Sequence, residues 1–220
     1  MIATKEDVQA FADSCVLLRA QWMHFTILFE GSDLKRELLQ TTAPTFFGDL
    51  NQLLIEYLIL HICRLTDETQ TFGRKNLTVK FLIEHSDWSG APGMLAKLKP
   101  ISESIHRFRE RILPARKWFI AHLDLSAVRV DQPLGAASDV EWKQFWLDLQ
   151  DFLELMFRHH IDPHSHFYLN GMVQISDADS LLTALKNGKF FEAVITDGEI
   201  GTRALRAANM SKFASNFKAD

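Results

Sequence analysis

Apolar residues recur at helical spacing along most of the chain. Val8, Phe11, Cys15, Leu18, Trp22, Phe25 and Phe29 follow one another at alternating steps of three and four. That rhythm puts them on one face of an amphipathic helix of about seven turns, with Gly31 as its stop. So regular a stripe suits a long helix packed along another. A second helix opens at Thr41-Thr42-Ala43-Pro44. Pro44 fits a first turn, where its missing N–H costs nothing. Phe47, Leu50, Leu54, Tyr57, Leu58, His61 and Leu65 line its face as far as Arg64-Leu65-Thr66-Asp67, and a polar loop containing Gly73 follows. Asn76 or Thr78 can cap a short third helix carrying Phe81, Leu82 and His85. Ser89-Gly90-Ala91-Pro92-Gly93 then breaks the pattern.

Met94, Leu95, Leu98, Ile101, Ile105, Phe108, Ile112, Ala115 and Phe119 continue a helical stripe to His122. Pro100 and Pro114 each remove a backbone hydrogen bond and crowd the preceding turn, which predicts kinks or restarts. Residues 129–137 form a loop with Pro133 and Gly135. Ser138-Asp139-Val140-Glu141 has the form of a capping box. The helix behind it carries Trp142, Phe145, Trp146, Leu149, Phe152, Leu153 and Met156. After Asp162-Pro163 the pattern changes. Ser176 caps a helix with Asp177 and Asp179 in its first turn, and Asn187-Gly188 ends it. Residues 190–195 read as helix or short strand, Asp197-Gly198 as a turn, and 200–213 as helix. The expected fold is therefore all-α: an antiparallel helical bundle over 1–160, with a small C-terminal helical appendage over 161–220 packed on it.

Composition narrows the function classes. Of the 220 residues, 47% are hydrophobic and 24% charged, as in an ordinary soluble globular protein. Net charge is -4, so there is no global positive field for nucleic acid, and any such site must be a local patch. Cys15 and Cys63 each fall on an apolar stripe and read as buried, reduced thiols of a cytoplasmic protein. Residues 1–9 carry Lys5, Glu6 and Asp7 and show no apolar signal-peptide core. The greasiest run, Phe46 to Leu65, contains Asp49, Asn51, Gln52, Glu56 and His61. That is too polar for a transmembrane span, so no membrane contact is expected.

Candidate chemistry concentrates in residues 113–124. Arg116 is a permanent phosphate-binding fork, and His122 titrates near neutral pH. Together they can bind a phosphodiester and move its proton. Six positions along a helix advance ~9 Å and rotate ~600°, which leaves the two side chains about 120° apart. Either Pro114 distorts the helix, or a two-fold dimer brings two copies of the pair into one cleft. Between Lys97 and Lys117 stand Lys97, Lys99, Arg107, Arg109, Arg111, Arg116 and Lys117, opposed only by Glu103 and Glu110. This excess of positive charge would concentrate RNA backbone, with Arg107 and Arg111 in supporting roles.

The segment Ile112-Leu113-Pro114-Ala115-Arg116-Lys117-Trp118-Phe119-Ile120-Ala121-His122 resembles the signature of HEPN domains (higher eukaryotes and prokaryotes nucleotide-binding). That signature is an Arg, four to six residues, then His, near the end of a bundle helix. More narrowly, the chain resembles the abortive-infection U-type branch. Supporting residues are Leu17-Leu18-Arg19-Ala20-Gln21-Trp22, Arg64-Leu65-Thr66-Asp67 with Asn76-Leu77-Thr78, and Asp177-Ala178-Asp179-Ser180-Leu181-Leu182. The resemblance implies an all-α homodimer that cleaves RNA at the dimer interface without a metal or other cofactor. It further implies a role in phage defence or as the toxin of a toxin–antitoxin pair, with an antitoxin protein as a possible partner. Arg116 and His122 match the two defined positions. Lys117 stands where active members usually carry Asn, Asp or His; it can bind phosphate but cannot accept a hydrogen bond. A catalytically silent dimer that binds RNA or a partner protein is the alternative.

Other residues carry weaker signals. Arg158-His159-His160-Ile161-Asp162-Pro163-His164-Ser165-His166 offers imidazole and carboxylate ligands, so a metal-dependent hydrolase using His159, His160, His164 and His166 is a rival reading. A solvated loop or a dimer contact is the plainer role for that run. Arg64 and Asp67 either line the cleft that holds Arg116 or form a local ion pair or helix-end cap, the commoner use of such residues. Trp118 could stack on a base, whereas Phe119 falls on the core stripe.

Overall fold

The computed structural model describes residues 2–116, 137–172 and 176–196. Among them are seven α-helices: α1 (Lys5–Phe29), α2 (Asp33–Thr42), α3 (Pro44–Leu65), α4 (Val79–His85), α5 (Pro92–Ala115), α6 (Asp139–His160) and α7 (Ser176–Thr196). A short antiparallel hairpin, β1 (Gln70–Thr71) and β2 (Arg74–Lys75), lies between α3 and α4, and a 3-10 turn covers Leu169–Met172. The protein is all-α, as the periodicity predicts.

The chain forms two compact units. The first contains residues 1–25 and 50–174, the second 26–49 and 175–220. The boundary expected after residue 160 falls inside the first unit. Residues 161–172 group with the first unit, and 26–49 group with α7.

In the first unit α5 and α6 form the most extensive helix pair. Their contacts run in opposite directions. Arg111 meets Glu141, Phe108 meets Trp142 and Phe145, and Ile101 shares a groove with Leu155. The pair is therefore antiparallel. Val8, Phe11, Cys15 and Leu18 of α1, Leu58, Ile62 and Cys63 of α3, Leu98 and Ile105 of α5, and Leu149, Phe152 and Met156 of α6 close one core. Phe11 meets Phe152 edge-on, and Trp22 stacks on Trp142 with ring centres 4.2 Å apart. Fully burying one such side chain is worth ~1.5–3 kcal/mol, so these stripes hold the bundle more than any polar contact does. In the second unit α2 packs against α7, with Leu39, Ala178, Leu182 and Val194 buried. By length and composition alone, α3 is the one helix among the described residues long and apolar enough to cross a membrane. Its Leu58, Ile62, Cys63 and Leu65 belong to the core of the first unit.

Helix ends follow the local chemistry. Ser138 Oγ accepts from Glu141 N–H, and the Glu141 carboxylate accepts from Ser138 N–H, which completes the capping box. Thr78 rather than Asn76 caps α4, accepting from Phe81 N–H at 3.1 Å. Gly31 follows α1 with φ +109°, a conformation favourable only to glycine.

Four expectations need correction. Helix α2 was not foreseen: its apolar positions are few and Leu34 is exposed. The polar loop around Gly73 is a hairpin. Helix α5 runs through Pro100 and Pro114 without a restart. A proline inside a helix costs ~3 kcal/mol. Here Pro100 is exposed, so water can hydrate the freed carbonyl, and Leu98, Ile105, Phe108 and Ile112 are buried along the same helix. Finally, α7 continues through Asn187-Gly188 to Thr196, which makes 190–195 helical. A glycine costs a helix only about 1 kcal/mol, and buried Val194 lies beyond it.

Candidate functional site

Asp67 follows α3 by two residues. The preceding Thr66 turns the chain there: its hydroxyl donates to Ile62 O at 2.7 Å and its N–H also returns to that carbonyl. The Asp67 carboxylate then crosses to α5. Asp67 Oδ1 accepts from Arg116 Nη1 at 3.0 Å and from Arg109 Nη2 at 2.8 Å. The three side chains are 23%, 29% and 17% exposed, so this cluster is sheltered without being sealed. Arg109 Nη1 also donates to Glu110 at 2.8 Å. Arg109 Nε is buried and has no hydrogen-bond partner among the described residues. Burial pushes the nearby Cys63 thiol up to about 11, against the pull of Arg116 and Arg109. Cys63 is thus a neutral packing group and no nucleophile.

Asp67 pairs across the bundle and not along its own helix end. Its ion-pair partners are Arg109 and Arg116; no pair with Arg64 is present among the described residues. Arg109 is the site residue that spacing arguments missed. It stands seven positions before Arg116, about 700° of helical rotation, so the two share a face to within ~20°. That spacing is a signal the sequence did contain.

The basic stretch divides between two faces. Arg107 and Arg111, four apart, border a cleft of about 560 Å³ toward α6, together with Glu110, Glu141, Gln144 and Asp148. Arg111 Nε pairs with Glu141 there at 3.0 Å. Three carboxylates beside two arginines make a poor phosphate site. Arg109 and Arg116 instead share the Asp67 carboxylate. A second cleft, of about 480 Å³, opens where Asp67 lies, with Ser14, Arg64, Thr71, Lys75 and Asn76 among its walls. His61 also borders it, stacked on Tyr57, and burial followed by the Arg64 charge lowers its pKa.

His122, Lys117 and Trp118 lie outside the described residues. The histidine run near α6's end does not converge. His159 stacks on Trp88, His160 Nε2 meets Ser86 Oγ at 2.8 Å, and His166 lies 3.3 Å from Glu154. His164 donates its backbone N–H to Asp162. Among the described residues no three His, Cys, Asp or Glu side chains come together as metal ligands. His159 and His160 at the end of α6 meet edge-on, ring centres 4.7 Å apart, while His164 and His166 lie in the segment that follows the helix.

A scan against protein-family models matches AbiU2, a HEPN-type family, over residues 2–179. The chain belongs to the AbiU2 family of HEPN domains. Neither the curated proteins nor the solved structures give a match.

Proposed function

We propose that the protein is a metal-independent endoribonuclease of phage-defence or toxin–antitoxin type, working at a cleft between two copies of the chain in the cytoplasm. The observation that carries the reading is the family match across residues 2–179 with the Arg116–His122 pair inside it. The geometry of Arg116 supports it. Asp67 engages one nitrogen of its guanidinium, which orients a fork that has five N–H donors in all.

RNA supplies its own nucleophile. The 2′-OH attacks the adjacent phosphorus, the P–O5′ bond breaks, and the products are a 2′,3′-cyclic phosphate and a 5′-OH. His122 takes the proton from the 2′-OH or returns one to the departing 5′-oxygen; a reference pKa of ~6.5 suits either task. Arg116 neutralises charge on the non-bridging oxygens. Lys117 and Arg64 contribute further positive charge, and Trp118 a stacking surface. An ideal helix through Arg116 and His122 would set them about 120° apart, an expectation that favours a second copy completing the site. DNA, lacking the 2′-OH, resists.

The deciding experiment incubates purified protein and RNA in EDTA, with His122→Ala as control. Cleavage that the substitution abolishes supports the reading; equal cleavage by both proteins contradicts it. Lys117 favours one second reading, a silent dimer that binds RNA or a partner protein, for which both proteins bind and neither cleaves.

A further inference from the structure

The hairpin over 70–75 has an unusual tip. Thr71 pairs with Arg74 and Gln70 with Lys75, so the turn is the dipeptide Phe72-Gly73. Phe72 has φ +49° and Gly73 φ +77°. Turns with two left-handed residues strongly prefer Asn-Gly, because asparagine tolerates that conformation. A bulky aromatic there is an outlier. Its side chain packs on nothing: Phe72 is 102% exposed. Neither turn geometry nor burial accounts for a phenylalanine at this place.

The base of the hairpin is braced. Asn76 Nδ2 donates to Glu68 O at 2.9 Å and to Thr71 Oγ1 at 2.7 Å, and Asn76 N–H reaches Thr69 O at 2.9 Å. Lys80 pairs with Glu68. The tip is thus presented from a fixed support. Thr71, Lys75 and Asn76 also form one wall of the cleft that Arg64 and Asp67 border. Asp67 in turn holds Arg116.

Charge around the tip differs from charge on α5. Arg109, Arg111 and Arg116 are each paired with a carboxylate. Among the described residues Arg64, Arg74 and Lys75 have no such partner, and all three are exposed. A free aromatic ring beside unpaired cations matches an unpaired nucleotide: the ring stacks on the base, and the cations meet the phosphates. A protein-docking face would need more apolar area, yet Gln70, Thr71, Arg74 and Lys75, the rest of the hairpin, are polar.

We infer that the 70–75 hairpin is a base-stacking grip for single-stranded RNA, with Phe72 beneath a base and Arg74 and Lys75 on the flanking phosphates. This rests on the ribonuclease reading of the adjoining cleft. The test uses the full chain carrying His122→Ala, to stop turnover, and a short single-stranded RNA containing 2-aminopurine. Phe72→Asn, which suits the turn, should weaken binding about 10-fold or more and remove the stacking quench of the probe. Phe72→Trp should preserve both. Unchanged affinity and quench in Phe72→Asn, with the fold intact by circular dichroism, would overturn the inference. If, in that case, the chain that retains His122 still cleaves RNA and His122→Ala does not, the ribonuclease reading survives alone. If the wild-type chain neither binds nor cleaves RNA, both readings fall. Loss of a protein partner on Phe72→Asn, with RNA binding unchanged, would reassign the hairpin to protein docking and also overturn it.

Discussion

Asp67→Asn isolates the contact on which the Arg116 geometry depends. The substitution keeps shape and removes the charge that two arginines share through one oxygen. Hydrogen bonds to charged groups are worth ~1.5–3 kcal/mol each when well sheltered. Exposed ion pairs are worth only ~0–1 kcal/mol. With side chains 17% to 29% exposed, the cluster lies between these limits. The asparagine carbonyl can still accept one weaker bond, so the expected loss is about 2 kcal/mol in urea unfolding. Arg116→Gln should then cost less in the Asp67→Asn background than in wild type, with a coupling of about 1 kcal/mol. Cleavage should fall about 10-fold, less than the ~10²–10³ expected when a transition-state donor is removed outright. A stability change under ~0.5 kcal/mol, with additive Arg116 and Asp67 effects, would refute the reasoning.

Two further predictions concern stability. Ser138→Ala removes the capping-box acceptor at the start of α6 and should cost about 1 kcal/mol in urea unfolding, with RNA cleavage unchanged. His160 carries its pKa below the ordinary imidazole value, by burial and then by His159, against an upward pull from Asp7. Ser86 donates its one proton to Leu82 O, so His160 Nε2 donates to Ser86 Oγ. A folded pKa below the unfolded one means the unfolded chain binds protons first on acidification. This contribution to stability is intact above about pH 7 and is lost as pH falls through ~6.5 toward the folded value. His160→Gln should flatten the stability profile between about pH 7 and 5; an unchanged slope would contradict the assignment.

Long periodic segments were legible in the sequence because one physical fact, the 3.6-residue repeat, is stated many times over in α1, α3, α5 and α6. The α6 capping box was legible because its residues touch one another along the chain. Shorter or longer-range features were not. Two-residue strands are too short to show alternation, and the hairpin turn lacks the Asn-Gly signal. The Pro100 and Pro114 penalties were visible while the packing that outweighs them was not. Asp67 was recognisable as a candidate, yet its partners lie 42 and 49 residues away, a pairing that only the fold supplies. The histidine run offered ligands by spacing alone, and only the fold shows that His159 turns to Trp88, His160 to Ser86 and His166 to Glu154.

The central claim is that Arg116 and His122 form an RNA-cleaving site, and the products of a single-turnover reaction in EDTA test it most directly. The account predicts 2′,3′-cyclic phosphate and 5′-OH ends from RNA, no cut in the matching DNA, and a drop of about 10²-fold or more for Arg116→Ala. Intact RNA, or cleavage undiminished in both Arg116→Ala and His122→Ala, would contradict it.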